Sequence, residues 1–208
     1  MNVVLVRDGK TTLLVDTGLG PKPRTFMPEP EARLLDELRS LGVAPEDVDC
    51  VVHTHLHRDH VGWDGAFRNA RYVVHELDWG FFMSDASLAE RPHLRQKVQP
   101  LRNVERVAGE TELVPGVRLV PTPGHTPGHT SVKLGDSLLV LGDVVVHELQ
   151  AADPDILYVS DNDAIQAAAT RRRILGELAD AGARVIVSHF AGIGRFERAG
   201  KGFRWAVE

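Results

Sequence analysis

Short apolar runs alternate with breaks marked by glycine and proline, and the period of each run predicts its element. Val3–Arg7 and Thr12–Asp16 read as two strands joined by the turn signal Asp8-Gly9. Leu34, Leu35, Leu38 and Leu41 fall at helical spacing within Pro30–Leu41, and Gly42 supplies a stop. Val48–Val52 predicts a buried strand, Arg71–His75 another, and the aromatic stretch after His75 a helix. Val104–Ala108, Val117–Pro121, Ser131–Leu134 and Leu138–Leu141 follow as strands bounded by Gly and Pro. Asp163–Ala181 predicts a helix, Val185–Ser188 a strand, and Phe203–Val207 a last short strand. Strands in two blocks, each followed by helices, predict an α+β protein with two mixed sheets face to face and helices on the outer faces.

Composition adds limits to that picture. With 208 residues, 43% of them apolar and 25% charged, the chain suits one globular domain over residues 1–208 with a large core. No Ser/Gly-rich linker, low-complexity tract or internal repeat divides it. A net charge of -5 argues against nucleic acid or an anionic membrane as partner, since both need clustered Lys and Arg. The run Arg171-Arg172-Arg173 lies in a helical pattern and reads as a solvated or salt-bridged face. No apolar stretch reaches the roughly 20 residues of a membrane span, and the first residues lack the features of a signal peptide, so a cytoplasmic location is expected. Cys50 is the sole cysteine, which excludes an internal disulfide and a multi-cysteine zinc knuckle.

The chemistry sits where apolar strands end. His55-x-His57-x-Asp59-His60 follows the strand Val48–Val52, in a loop where alternate side chains can converge. Two metals close together can divide these groups, His55 and His57 to one, Asp59 and His60 to the other. Each metal then needs ligands from elsewhere, and a pair needs a bridge. His125 in "TPGHTPGHTS", Asp143 in "LLVLGDVV" and His189 in "VIVSHFAG" each follow an apolar strand, where packing gives no reason for them. His53 is expected to face the other side of its strand, His129 to be a hydrogen-bonding turn residue, and His147 to line the pocket. His75 and His93 have no partner pattern.

This set, with Asp16 in "VDTG", resembles the metallo-β-lactamase superfamily over essentially the whole chain. The resemblance implies an αββα sandwich with metals at the sheet edges. It implies that His55, His57 and His125 hold one ion, that Asp59, His60 and His189 hold the second, that Asp143 bridges them, and that Asp16 fixes the first histidines from behind. Histidine and carboxylate ligands without thiolate suit two divalent ions, zinc first, with iron, manganese, cobalt or nickel as alternatives. Cys50 lies before the motif rather than in a metal position, and Asp143 is present, which argues against β-lactam hydrolysis. The chain ends soon after His189, leaving no room for the glutathione-gripping domain of glyoxalase II enzymes. His57 stands where flavodiiron relatives carry glutamate, and the acidic charge and compact length speak against RNA-processing relatives, which add nucleic-acid-binding insertions.

"HTPGHTS", the stretch from Leu141 through "SDNDAIQAAATRRRIL", and "AGIGRFERAGKGFRW" look similar to the branch holding methyl parathion hydrolase and related lactonases and arylesterases. That branch implies a dinuclear hydrolase of an ester, lactone or phosphotriester, in which the ion pair lowers the pKa of a water from about 15.7 toward neutrality. Asp59 is expected to ligate and to take the proton of that water, and either a metal-bound water or His147 to protonate the leaving group. Trp63 and Phe190, next to ligands, are the favoured walls of an apolar pocket, ahead of Phe26, Met27, Trp79, Phe81, Phe82 and Tyr158. The expected partner is a small-molecule substrate, with a homodimer left open. Alternatives are a thioester hydrolase of glyoxalase II type, a metal-binding protein of this fold without turnover, and a single-iron sulfur dioxygenase.

Overall fold

The computed structural model describes residues 1–21, 33–136 and 138–208, and these form two compact units. The first unit holds Met1 and residues 3–107, and the second holds Asn2 and residues 108–208. Each builds its own mixed sheet, so the expected α+β class with two mixed sheets is found.

In the first unit, β1 (Val4–Arg7) and β2 (Thr12–Val15) form an antiparallel hairpin. Its turn is set by Asp8, whose carboxylate accepts from the amides of Lys10 and Thr11 at 2.8 and 2.7 Å. From β2 onward the sheet is parallel: β3 (Cys50–Val52), β4 (Arg71–His75) and β5 (Val104–Val107) follow side by side in chain order. Strands β3 and β4 are nearly continuous apolar runs, as parallel strands are. Helix α1 (Leu34–Ser40) places Leu38 in a core with Leu14, Val48, Val51 and Tyr72. Helices α2 (Glu76–Phe82) and α3 (Asp85–Glu90) bring Phe82 and Leu88 against Val74, Leu94 and Val98. The predicted helix over 30–41 is seen as α1, and its first residues lie outside the described residues.

The second unit orders β6 (Thr111–Val114), β7 (Val117–Pro121), β8 (Thr130–Leu134), β9 (Leu138–Val140), β10 (Arg184–Ile186), β11 (Gly194–Ala199) and β12 (Gly202–Val207) as neighbours in chain order. Only β9 and β10 pair in parallel. A parallel pair needs a crossover, and α4 (Glu148–Ala152) and α5 (Ala164–Ala181) lie within that connection. Along α5 the buried positions Ala167, Ala168, Arg171, Ile174, Leu175 and Leu178 repeat at helical spacing and make one inward face. Ile174, Leu175 and Leu178 pack with Val185, Val187, Phe196 and Phe203.

Among the described residues, β6, β11, α3, α4 and the short helical turns Pro45–Asp47 and Leu94–Val98 were not read from the sequence. Strand β6 is half-exposed at the sheet edge, and β11 turns only Gly194 and Phe196 inward, so neither carries a hydrophobic alternation. Helices α3 and α4 are too short to show a period, and each starts from a capping side chain, Ser84 and His147.

Candidate metal centre

In the first unit the carboxyl ends of the parallel strands β2 and β3 lie at one sheet edge, and Val15 is in register with Val52. One residue further along each strand, Asp16 therefore stands beside His53, with 3.7 Å between Oδ1 and Nδ1. Asp16 has φ +62°, a left-handed conformation that costs a non-glycine residue energy. Its carboxylate holds it there. Oδ1 accepts from the Thr54 amide at 2.8 Å, and Oδ2 accepts from the Thr54 hydroxyl at 2.8 Å and from His60 Nδ1 at 2.7 Å. Burial alone would raise the pKa of Asp16, but His60 and His53 beside it hold it down at about 2.

That anionic oxygen pair dictates where the protons lie. A carboxylate only accepts, so His60 carries its proton on Nδ1 and its lone pair on Nε2. The Thr54 hydroxyl gives its proton to Asp16, and its oxygen accepts from His55 Nδ1 at 3.1 Å. His55 therefore also carries its lone pair on Nε2. The His55 ring lies 3.8 Å, centroid to centroid, from that of His60 and 4.7 Å from that of His57. His60 Nε2 is 3.8 Å from Asp59 Oδ2. Each of the pairs His55/His57, His55/His60 and Asp59/His60 offers ligand atoms within 4.8 Å of each other. The loops that carry these groups are laced together, with the Thr17 amide on the His60 carbonyl and the Gly62 amide on the Gly18 carbonyl, both at 2.7 Å. A Cβ on Gly62 would sit 2.0 Å from the carbonyl carbon of Leu19, so this crossing admits only glycine.

Beneath the cluster, His53 is fully buried between two carboxylates, its Nε2 2.9 Å from Asp64 Oδ2. Burial alone would lower its pKa, but Asp64 and Asp16 raise it to about 9, and the ring is an imidazolium at neutral pH. His53 thus faces away from the ligand loop, as strand alternation predicts, and props Asp16 from below. Asp64, which also accepts from the Thr17 hydroxyl at 2.9 Å, was not singled out in the sequence. Its signal was its place four residues past the motif's end, in "HVGWD".

The second unit repeats this logic. β7, β9 and β10 run in the same direction, because β8 is antiparallel to both β7 and β9 while β10 is parallel to β9. His125, Asp143 and His189 follow the carboxyl ends of those three strands. Val140 is in register with Ile186, so Asp143 and His189, each three residues on, meet with Oδ2 and Nε2 3.1 Å apart. His125 Nε2 is 3.6 Å from the same oxygen. His125 Nδ1 donates to Asp161 Oδ1 at 2.8 Å, which again leaves the lone pair on Nε2. The "PGH" turn is pressed onto the start of α5: the Asp163 amide donates to the Gly124 carbonyl at 2.9 Å, and the Asn162 amide to the His125 carbonyl at 3.0 Å. Gly124 has φ +132°, and a Cβ there would lie 2.3 Å from the Ala167 nitrogen. His129 spends both nitrogens on structure, Nε2 accepting from the Asp143 amide at 2.9 Å and Nδ1 facing Thr122. It is the turn residue the sequence predicts, and it fixes the backbone that carries Asp143.

Other expected residues take different places. His147 is exposed and caps α4, its Nδ1 accepting from the Leu149 amide at 3.1 Å, a role that accounts for the side chain without the proton transfer expected of it. His75 caps α2 in the same way. Phe190 is buried against Phe196 and Trp205, the latter ring centroid 5.3 Å away. Trp63 is half-buried and packs on the core of Leu14, Val51 and Phe67. Tyr158 lies parallel to the His125 ring with centroids 6.2 Å apart. Phe26 and Met27 lie outside the described residues. Arg171, taken with its neighbours as a solvated face, is fully buried, whereas Arg172 and Arg173 are exposed and pair with Asp155 and Glu177.

In each unit, imidazoles held by oxygen acceptors with the lone pair on Nε2, and carboxylates beside them, are donors suited to hard and borderline divalent cations. The comparisons with known proteins agree with this chemistry. Residues 2–189 match the model of the metallo-β-lactamase superfamily, and the chain belongs to that family. Among curated relatives, an N-acyl homoserine lactonase from a Bacillus species is 37% identical over 102 residues, which are 49% of this chain and 39% of that protein. The N-acyl homoserine lactonase AttM of Rhizobium radiobacter is 32% identical over 109 residues, covering 47% of this chain and 40% of AttM. The matched stretch thus spans about two fifths of these relatives. Among solved structures, the hydrolase AbOPH of the beta lactamase superfamily is 27% identical and covers 100% of this chain and 79% of its own, with a TM-score of 0.86. AidC, a dizinc quorum-quenching lactonase solved with a product, is 26% identical over 100% of this chain and 79% of its own, with a TM-score of 0.82. The likeness to lactonases accords with the branch that the sequence resembles.

Proposed function

We propose that this chain is a metal-dependent hydrolase of lactones and related esters, working with two divalent ions, zinc in the first instance. His55, His57 and His125 would hold one ion and Asp59, His60 and His189 the other, with Asp143 shared, so that residues 1–208 act as a single functional domain. The observation that carries this reading is the proton bookkeeping: Asp16, Thr54 and Asp161 hold His60, His55 and His125 with Nε2 as the lone-pair atom, the form a metal ligand requires. Such an ion pair, when bound, supplies a water of lowered pKa and polarises the oxygen of a carbonyl.

The chain's own residues do the rest. Asp16 keeps two ligand rings aimed and correctly protonated, and His53 keeps Asp16 anionic. Asp59, half-buried next to His60, takes up the proton released when the water oxygen bonds to the carbonyl carbon. That proton passes from Asp59 to the ring oxygen as the C–O bond breaks, and the product is a hydroxy acid. The small-molecule substrate is proposed from the lactonase relatives; the net charge of -5 supports neither a polyanionic nor a membrane partner. Among the described residues no helix is long and apolar enough to cross a membrane.

A substrate panel tests the proposal. Zinc-loaded protein is offered N-acyl homoserine lactones, an aryl ester, an acyl thioester and a phosphotriester. Turnover of lactone and aryl ester above the others is expected. Preferential thioester turnover would move the chain to the glyoxalase II-like alternative, and bound metal without turnover of any of them would make it a binding protein.

A further inference from the structure

The middle of helix α5 holds an arginine where its inward face requires an apolar residue. Arg171 lies four and three residues from Ala167 and Ala168 on one side and from Leu175 and Ile174 on the other, all of them buried. Its exposure is 1%. A buried guanidinium is costly unless its donors are met, and here they are met by a specific set. Nε donates to the Val144 carbonyl at 2.8 Å, and Nη1 to the carbonyls of Pro154 and Ile156 at 3.0 and 2.9 Å. Nη2 donates to Asp161 Oδ2 at 3.4 Å. The other oxygen of Asp161 accepts from His125 Nδ1 at 2.8 Å.

One side chain thus touches the two places from which the second unit's ligands hang. Val144 is the residue after Asp143, and Asp161 is the acceptor that sets the His125 tautomer. The carboxyl group of Asp161 is 1% exposed, and the guanidinium lies 3.4 Å from its second oxygen. We propose that Arg171 is a positioning residue which, through Asp161, holds His125 with its proton on Nδ1 and its lone pair on Nε2, and which fixes the backbone beside Asp143. This inference rests on the reading of His125 as a metal ligand given above. A merely structural arginine would brace the 154–156 loop and leave the imidazole's protonation untouched.

The test separates those cases and uses the full chain. Two-bond proton–nitrogen correlation spectra of the metal-free protein report which nitrogen of His125 is protonated. The wild type is expected in the Nδ1–H form. Asp161→Ala keeps the three carbonyl contacts of Arg171, so the fold is retained, and His125 is expected to shift toward the Nε2–H form. Zinc competition against a chromogenic chelator should then show one of the bound ions weakened by about ten- to hundredfold and the other unchanged. Arg171→Lys, which keeps the charge but not the fork, should fall between the two in both readouts. An unchanged tautomer and unchanged zinc affinity in Asp161→Ala would overturn the inference. A wild-type chain that takes up no zinc would refute the metal reading instead, and the tautomer shift alone would then decide whether Arg171 and Asp161 orient the ring.

Discussion

Asp16 gathers several interactions of the site into one side chain. It sits in a left-handed conformation, accepts three hydrogen bonds and borders His53. Asp16→Ala removes all of these at once and leaves the imidazolium of His53 with Asp64 alone. A loss on the order of 3–5 kcal/mol is expected, as for one partner removed from a buried charge pair, measured by urea unfolding. Cys50 gives a second prediction at this scale. Burial pushes its thiol up to about 11 from an ordinary value near 9.0. The unfolded chain therefore holds fewer thiol protons than the folded one between about pH 9 and 11, and stability falls as pH rises through that window. Cys50→Ala should remove this part of the alkaline loss, which unfolding curves of both proteins at pH 8.5 and pH 11 would show.

At the scale of elements, α5 both packs and instructs. Arg172 and Arg173 are solvent-facing ion pairs, so replacing either with alanine should shift stability by no more than about 1 kcal/mol. Gly124 is the opposite case. Gly124→Val places a branched side chain into the Ala167 backbone at an unsuitable φ, and the "PGH" turn should lift from α5. A cost of several kcal/mol, together with loss of zinc affinity at His125, is expected from unfolding and chelator titrations. The same helix shows what the sequence could disclose. The proposed ligands stand out in the sequence because each breaks the rule of its strand, a His or Asp where an apolar run ends. The inward place of Arg171 was legible too, since it lies at the core spacing of α5, but a run of three arginines masked it. Asp161 and Asp64 were not legible, because their partners His125 and His53 are distant in sequence and only strand register and turn geometry bring them close. For His147 and Phe190, adjacency in sequence to a proposed ligand says nothing about which way a side chain turns: the first caps α4 and the second packs on Phe196 and Trp205.

For the molecule as a whole, sheet order explains why the proposed ligands appear as they do along the chain. In each unit taken by itself, co-directional strands end at one edge, with His55 to His60 following β3 in the first and His125, Asp143 and His189 following β7, β9 and β10 in the second. An ion that binds the folded chain and not the unfolded one raises stability by mass action, by about 2.7 kcal/mol at a hundred times its Kd. Zinc should accordingly raise the melting temperature of the metal-free protein, and Asp143→Ala should diminish that rise. The most direct measurement is the rate of N-acyl homoserine lactone hydrolysis by metal-stripped protein during titration with zinc. Activity absent at the start and rising to a plateau at two zinc ions per chain is the predicted result. Full activity before any zinc is added, or two ions bound with no hydrolysis, would contradict it.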